Sequence, residues 1–198
     1  MTAGIQKTLI AAAAAALFGG TAVAQTAAVS DDVVQIGVLT AMFGQFSHES
    51  GEGAVTAVKM AVEDFGGKVL GKPIEVVVAD HQNKPDVAST LARKWFDVEK
   101  VDMIANLINS SIALSVSQLA KEKDRIAIVN GSGSSRLTND ACTPNSIHYA
   151  YDTYALAKGT GAAMLKAAEK SWYFLTADYA SGHALEADTS AIVKSLGG

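Results

Sequence analysis

Short apolar runs alternate with helical stretches along most of this chain. The run VVQIGVL (residues 33–39) is continuous and rich in β-branched residues, which is typical of a strand buried on both faces. Further strands are predicted at residues 74–79, 101–107, 126–129 and 172–177. Helices are predicted at about residues 51–66, 85–98, 112–119, 154–168 and 182–196. Strict alternation with short connections predicts an α/β fold with a doubly wound parallel sheet.

The composition limits the kinds of partner. The chain has 198 residues, of which 49% are apolar and 18% charged, so it can bury a sizeable core. Its formal net charge is −4 and it contains no basic run, which argues against nucleic acid because binding phosphates requires clustered Lys and Arg. The single cysteine, Cys142, excludes an internal disulfide and a thiolate metal cluster.

The N-terminus has the organisation of a secretory signal. Lys7 is the only charged side chain before Asp31, and the apolar run TLIAAAAAALFGG follows it. Ala22 and Ala24 then supply the small residues that a signal peptidase requires. We expect residues 1–24 to be removed after Ala24, with residues 25–32 as a linker and the mature protein in the periplasm, without stable membrane insertion. The alternative is a membrane anchor, but the apolar stretch is short for a span of ~20 residues.

Four predicted loops follow the carboxyl ends of the strands, where ligands of open parallel sheets bind. These loops are residues 40–50, 80–84, 109–111 and 130–135. They are rich in Asn, Ser, Gln and Gly and poor in paired titratable groups. Such a composition favours hydrogen bonding to a ligand over proton transfer.

The loop NGSGSS (residues 130–135) is the most distinctive of the four. Its glycines fit two places of a dinucleotide-binding fingerprint, but Arg136 stands at the third. It lacks the Gly-Lys of a Walker loop and the Gly-x-Ser-x-Gly of a nucleophile elbow. The four histidines of the chain share no metal-ligand spacing. We therefore interpret the loop as a nest of backbone N–H groups and hydroxyls for a carboxylate, in a protein that is not an enzyme and uses neither metal nor cofactor.

Residues 33–198 resemble the type I periplasmic binding proteins, and more narrowly the leucine, branched-chain amino-acid or aromatic-acid substrate-binding proteins of ABC transporters. The resemblance is carried, in order, by GGKVLGKPIEVVVAD, KPDVA, VDMI before an Asn/Ser loop, and WYFLTADYASGHALEAD. It implies a first ligand-binding lobe at residues 33–150 and a partial second lobe at residues 151–198. Members of the family are considerably longer, so we expect the chain to be a C-terminally incomplete fragment.

The resemblance also implies which residues hold the carboxylate of the ligand. Asn109 or Ser110, after the third predicted strand, would supply a polar group. Gly133 and Ser134, after the fourth, would supply an amide and a hydroxyl. The alternative role for Ser110 is to cap the helix that follows it.

Aromatic residues would complete the implied site. Phe46 would form a wall in the first lobe, and Tyr151 and Tyr179 would contribute contacts from the second, although Tyr179 could instead serve packing alone. The implied ligand is a small carboxylate, either an amino acid or an aromatic acid, and the implied protein partner is the membrane permease of an ABC importer. Two alternatives remain open at this point: a ligand-sensing receptor ectodomain of the same fold, and a secreted Rossmann-like enzyme.

Overall fold

The computed structural model describes residues 31–166 and 170–198. The predicted signal peptide and its cleavage site lie outside these residues. The described strands are β1 (Val34–Thr40), β2 (Lys68–Val69), β3 (Lys72–Asp80), β4 (Met103–Asn106), β5 (Ile126–Val129) and β6 (Ser146–His148). The α-helices are α1 (Gly51–Asp64), α2 (Pro85–Lys94), α3 (Ser110–Glu122), α4 (Thr153–Lys166) and α5 (Ala180–Ser195). A π-helical turn (Trp95–Glu99) extends α2, and a 3-10 turn (Ser135–Thr138) follows β5.

The strands form a sheet in the order β2-β3-β1-β4-β5-β6. β1 pairs in parallel with β3 and β4, β4 with β5, and β5 with β6, whereas the short β2 forms an antiparallel hairpin with β3. The chain winds outward from β1 in one direction and then returns to continue in the other. The predicted α/β fold with a parallel, doubly wound sheet is confirmed, and the carboxyl ends of β1, β3, β4 and β5 lie at one edge.

The main hydrophobic core lies between the sheet and the helices α2 and α3. Leu39, Ile104 and Val129 of the sheet are fully buried in this core, together with Ile112 and Val116 of α3. Buried apolar side chains at helical spacing on one face hold α3 against the sheet.

The Trp95 ring packs directly on the backbone of β1. A Cβ atom at Gly37 would lie 2.6 Å from the Trp95 ring, so only glycine leaves room for it there. Trp95 is 4% exposed. This contact fixes the position of the turn after α2 relative to β1.

The predicted strand at residues 172–177 is wrong. These residues belong to none of the strands that the structure describes, although they keep the alternating exposure of a strand. The pattern of side chains was correct, but a β-strand also needs a neighbour to complete its hydrogen bonds. Conversely, β6 was not predicted because three residues with two polar side chains carry little strand signal.

None of the described helices is both long enough and apolar enough to cross a lipid bilayer.

Candidate ligand-binding site

Hydrogen bonds tie together the strand ends that carry the candidate site. The side-chain Nδ2 of Asn106, at the end of β4, donates to Thr40 Oγ1 at the end of β1, at 2.7 Å. Asn130 Oδ1, after β5, accepts from the backbone N–H of Asn106 at 3.0 Å. Both Thr40 and Asn106 are buried. These contacts form a polar floor that fixes the loops after β1, β4 and β5 relative to one another.

A cavity of about 140 Å³ lies above this edge and gathers most of the predicted site residues. Five of those residues line it: Phe46, Ser110, Gly133, Tyr151 and Tyr179. Asn109 lines an adjoining cavity of about 390 Å³, which Phe46 and Tyr179 line as well. The structure therefore places the aromatic pair between the two cavities, with Ser110 on one side and Asn109 on the other.

Asn109, rather than Ser110, is the N-cap of α3. Its Oδ1 accepts from the backbone N–H groups of Ser111 at 2.8 Å and Ile112 at 3.3 Å. Its Nδ2 donates to Asn83 Oδ1 at 2.7 Å, which joins α3 to the loop after β3. The alternative role of Ser110 as a helix cap is therefore wrong. A ligand role for Asn109 stays a prediction, and its carbonyl oxygen already serves the helix.

Ser110 and Ser134 lie against each other at the base of the first cavity. The backbone N–H of Ser134 donates to Ser110 Oγ at 3.3 Å. Ser134 is fully buried and does not line either cavity, and its hydroxyl makes no hydrogen bond to any described residue. Ser110 thus lines the cavity, and its hydroxyl accepts a hydrogen bond from the backbone of Ser134. Direct contact between Ser134 and a ligand stays a prediction.

The glycines of the 130–135 loop are required for space and not for an unusual backbone conformation. Neither Gly131 nor Gly133 has a positive φ. Instead, a Cβ atom at Gly133 would lie 2.9 Å from the Tyr151 ring, and one at Gly131 would overlap Ile108 Cδ1. The glycines therefore allow Tyr151 and Ile108 to reach the cavity wall.

Two aromatic rings that are distant in sequence meet at the cavity. The ring centroids of Phe46 and Tyr179 are 6.2 Å apart with an interplanar angle of 55°. Next to Tyr179, the backbone N–H of Ala180 donates to Ser111 Oγ at 3.1 Å, which attaches the start of α5 to the first turn of α3. Tyr151 is 60% exposed at the cavity rim. Tyr179 therefore packs against Phe46, as the alternative role considered for it requires, and its side chain also lines the candidate site.

Comparison with known proteins gives the family. The sequence profile described as "Periplasmic binding protein" matches residues 33–198. The chain belongs to the periplasmic binding protein family. The parallel-dominated sheet with its flanking helices matches the type I fold of this family.

Solved structures of this family resemble the chain closely. A periplasmic binding protein from Burkholderia mallei is 54% identical, with a TM-score of 0.81 over 84% of this chain and 44% of the other. A branched chain amino acid ABC transporter periplasmic ligand-binding protein from Burkholderia xenovorans is 35% identical, with a TM-score of 0.71 over 83% of this chain and 44% of the other.

A third structure was determined with a ligand. It is a solute binding protein of an ABC transporter from Rhodopseudomonas palustris in complex with 3,4-dihydroxy benzoic acid, 27% identical, with a TM-score of 0.74 over 85% of this chain and 46% of the other. The chain thus spans less than half the length of these relatives. The family and these relatives are binding proteins and not enzymes. A comparison with curated proteins found no match.

Besides Ile108 and Gly131, the structure adds two residues with polar side chains to this periplasmic binding protein's candidate site. Glu49 and Ser181 line the first cavity with the predicted residues, and Glu49 brings a carboxylate to its rim. Glu49 lies within the loop after β1 that was expected to contact a ligand. Only the folding of that loop distinguishes it from other exposed acidic residues, so no periodicity or spacing could have singled it out.

A buried histidine is linked to the candidate site through Asn83. His81 is fully buried, and its Nδ1 accepts from the backbone N–H of Asn83 at 3.0 Å. Burial lowers the pKa of His81, and the neighbouring Asp80 carboxylate opposes this effect only in part. The neutral imidazole therefore holds Asn83 in place, and Asn83 in turn accepts from Asn109.

Proposed function

We propose that this chain carries the first-lobe ligand site of a periplasmic solute-binding protein that serves an ABC importer, and that its ligand is a small carboxylate. The observation that supports this most directly is the cavity at the carboxyl edge of the sheet, which brings together Phe46, Ser110, Gly133, Tyr151 and Tyr179. The export signal predicted at residues 1–24, the periplasmic location and the permease partner are parts of the same proposal.

The base of the cavity suits a carboxylate. Ser110 Oγ accepts from Ser134, so its own proton remains available for donation to an anion. Ser110 is also the first residue of α3, where the helix dipole favours negative charge. The backbone N–H groups of residues 131–133 make no hydrogen bond to other described residues and lie in the loop beside Ser110. Together these groups supply several donors in one small volume.

The walls of the cavity suit an apolar or aromatic side chain. Phe46, Tyr151 and Tyr179 present three rings around the donors at the base. Such a combination of apolar walls with a few polar groups is typical of sites for small molecules. Both ligand classes occur among the relatives described above, one a branched chain amino acid ABC transporter periplasmic ligand-binding protein and the other a complex with 3,4-dihydroxy benzoic acid.

Glu49 favours an amino acid over an aromatic acid within this proposal. A carboxylate at the rim repels a purely anionic ligand and attracts the ammonium of an amino acid bound by its own carboxylate below. Aromatic acids remain the second candidate because the three rings suit them, but they carry no ammonium group for Glu49 to attract.

Calorimetric titration with leucine, phenylalanine and benzoate tests the proposal. It should be done on the chain and on a chimera that continues after residue 198 with the rest of the Burkholderia mallei relative. We expect little or no binding by the chain alone, because a ligand held by one lobe lacks the contacts that closure over it supplies. In the chimera, Glu49→Gln should weaken amino-acid binding about ten- to a hundredfold, since a hydrogen bond between charged groups is lost.

The matched control is Glu52→Gln, which removes an exposed carboxylate from the first turn of α1 and should leave binding unchanged. If benzoate binds and Glu49→Gln does not weaken its binding, the aromatic acid replaces the amino acid as the ligand class. Failure of all three acids to bind the folded chimera would contradict the carboxylate assignment.

A further inference from the structure

A carboxylate in the middle of α5 accepts hydrogen bonds from two hydroxyl groups that lie far from it in sequence. Asp188 Oδ2 accepts from Ser135 Oγ at 2.8 Å and from Thr153 Oγ1 at 2.6 Å. Ser135 ends the loop after β5, and Thr153 is the first residue of α4. Both of these residues are buried, and Asp188 is half-buried. One carboxylate oxygen thus joins the loop to both α4 and α5.

Thr153 holds the same loop at two points. Its backbone N–H donates to the carbonyl oxygen of Gly133 at 2.6 Å, and its Oγ1 accepts from the backbone N–H of Ser135 at 3.0 Å. The backbone N–H of Ser134 donates to Ser110 Oγ. The peptide between Gly133 and Ser134 is therefore fixed at both its C=O and its N–H, and the next peptide is fixed at its N–H.

The carboxylate also sets the direction of these hydrogen bonds. A hydroxyl group donates or accepts, whereas an ionised carboxylate only accepts. Thr153 gives its hydroxyl proton to Asp188, so its lone pairs remain to accept from the N–H of Ser135. Hydrogen bonds to a charged group are stronger than those between neutral groups, so Asp188 holds both hydroxyls firmly.

We propose that Asp188 is a positioning residue for ligand binding, which holds the backbone of residues 133–135 in the geometry that binds a carboxylate. This inference rests on the proposed function, because it takes the first cavity as the carboxylate site. Gly133 lines that cavity, whereas Asp188 lines neither cavity and acts through Ser135 and Thr153. Donors that are already held in place bind more tightly, because less ordering is required when the ligand arrives.

The charge and the hydrogen bonds of Asp188 have opposite effects on an anionic ligand. The charge repels a second carboxylate, whereas the hydrogen bonds keep the loop in place. Asp188→Asn removes the charge and keeps an oxygen that accepts from both hydroxyls, and Asp188→Ala removes both. A positioning role therefore predicts that only the alanine variant binds the acid poorly. A purely electrostatic role predicts tighter binding by both variants.

Hydrogen exchange of the chain, followed by NMR, tests the hold on the loop without any ligand. In Asp188→Ala the backbone N–H of Ser135 should exchange about tenfold faster, and in Asp188→Asn it should exchange as in the wild type. Unchanged exchange in β4 shows that the fold is intact. The matched control is Glu186→Ala, since Glu186 also lies in α5 and accepts from a threonine, Thr176 Oγ1, at 2.5 Å. It should leave the exchange at Ser135 unchanged.

Calorimetry on the chimera tests the effect on binding. The probes are whichever of leucine, phenylalanine and benzoate binds the wild type, together with its primary amide. Asp188→Ala should weaken binding of the acid about tenfold and of the amide less, while Asp188→Asn and Glu186→Ala should bind as the wild type does. If Asp188→Ala does not fold, Ser135→Ala removes one of the two hydroxyl groups and should weaken binding of the acid about threefold.

The outcomes separate this inference from the proposed function. A wild-type chimera that binds none of the three acids would overturn the proposed function and this inference with it. If the wild type binds, equal or tighter binding of the acid by Asp188→Ala would overturn the positioning role alone. So would equal losses for the acid and the amide, a failure of Asp188→Asn to restore binding, or unaltered exchange at Ser135 in Asp188→Ala.

Discussion

The Phe46 and Tyr179 rings meet 6.2 Å apart, although Phe46 lies in the first loop of the sheet and Tyr179 immediately precedes the last helix. This contact and the hydrogen bond from Ala180 to Ser111 attach the end of the described chain to the edge of the sheet that carries the cavity. The shape of the candidate site therefore depends on contacts between segments that are distant in sequence.

Phe46 and Tyr179 should be energetically coupled. Their centroid distance lies within the range of favourable aromatic pairs, for which coupling is about 0.5–1.5 kcal/mol. A double-mutant cycle with Phe46→Ala and Tyr179→Ala, measured by urea unfolding of the chain, should give a coupling of this size. Phe43→Ala is the control, since Phe43 lies in the same loop at 80% exposure, and it should show no coupling with Tyr179→Ala. Additive effects of the first pair would contradict the contact.

Ser134→Ala should separate ligand binding from stability. The buried hydroxyl of Ser134 has no partner among the described residues, so its removal should leave the free energy of unfolding unchanged or raise it by about 1 kcal/mol. If the hydroxyl serves the ligand, the same change in the chimera should weaken binding of the acid about ten- to a hundredfold and of its amide analogue much less.

Ser117→Ala is the matched control for Ser134, because Ser117 is also buried with an unpartnered hydroxyl but lies within α3, outside both cavities. It should change stability in the same direction and leave binding unaltered. Equal losses for acid and amide at Ser134 would remove its hydroxyl from the carboxylate site.

Asn109→Ala should destabilise the fold by about 0.5–2 kcal/mol, as loss of a helix N-cap does. Asn109→Asp keeps the oxygen that accepts from Ser111 and Ile112 and adds a negative charge at the helix N-terminus, so it should recover most of that stability. It also loses the donor to Asn83. Urea unfolding of the three proteins measures the effect. Equal destabilisation by both variants would mean that the bond to Asn83, and not the cap, is the important contact.

Stability should fall as the pH decreases below the ordinary pKa of histidine. Burial lowers the pKa of His81 in the folded chain, so at mildly acidic pH the unfolded chain binds a proton that the folded chain does not. The free energy of unfolding should therefore begin to fall below about pH 6.5, and the fall should end below the lowered pKa.

His81→Asn should reduce this pH dependence, because asparagine keeps an acceptor for the Asn83 N–H without a proton to gain. His48→Asn, at an exposed position, is the control and should retain the wild-type slope. Urea unfolding between pH 5 and pH 8 measures both. Unchanged slopes in His81→Asn would assign the acid sensitivity to other groups.

Export should remove residues 1–24. When the chain is expressed in a Gram-negative host, intact-mass analysis of the periplasmic fraction should find a protein that begins at Gln25. A membrane-bound species that retains Lys7 would contradict the predicted cleavage.

The sequence predicted the centre of the fold well because its strands are short apolar runs bounded by polar or glycine-containing loops. Continuous β-branched runs such as residues 33–39 and 74–79 are typical of a parallel sheet, although the second of them is half-buried to exposed along its length. Parallel pairing then places the loops after β1, β3, β4 and β5 at one edge, so the position of the candidate cavity follows from the order of elements alone.

The sequence predicted the periphery less well because pairing and loop conformation depend on distant contacts. Residues 172–177 have the side chains of a strand but do not belong to the described sheet. Ser110 and Asn109 are both good capping residues, and the exact start of α3 decided between them. Glu49 reached the cavity only through the path of its loop, which no repeating pattern describes.

The packing of Trp95 on Gly37 has a spectroscopic consequence. The chain contains only two tryptophans, and the second, Trp172, lies half-buried in the segment before α5, where its ring stacks near Phe174. Trp95 is almost fully shielded from water and Trp172 is not. Intrinsic fluorescence therefore contains a blue-shifted emitter from the sheet core and a more red-shifted one from the C-terminal segment, and acrylamide quenching resolves the two without any added dye.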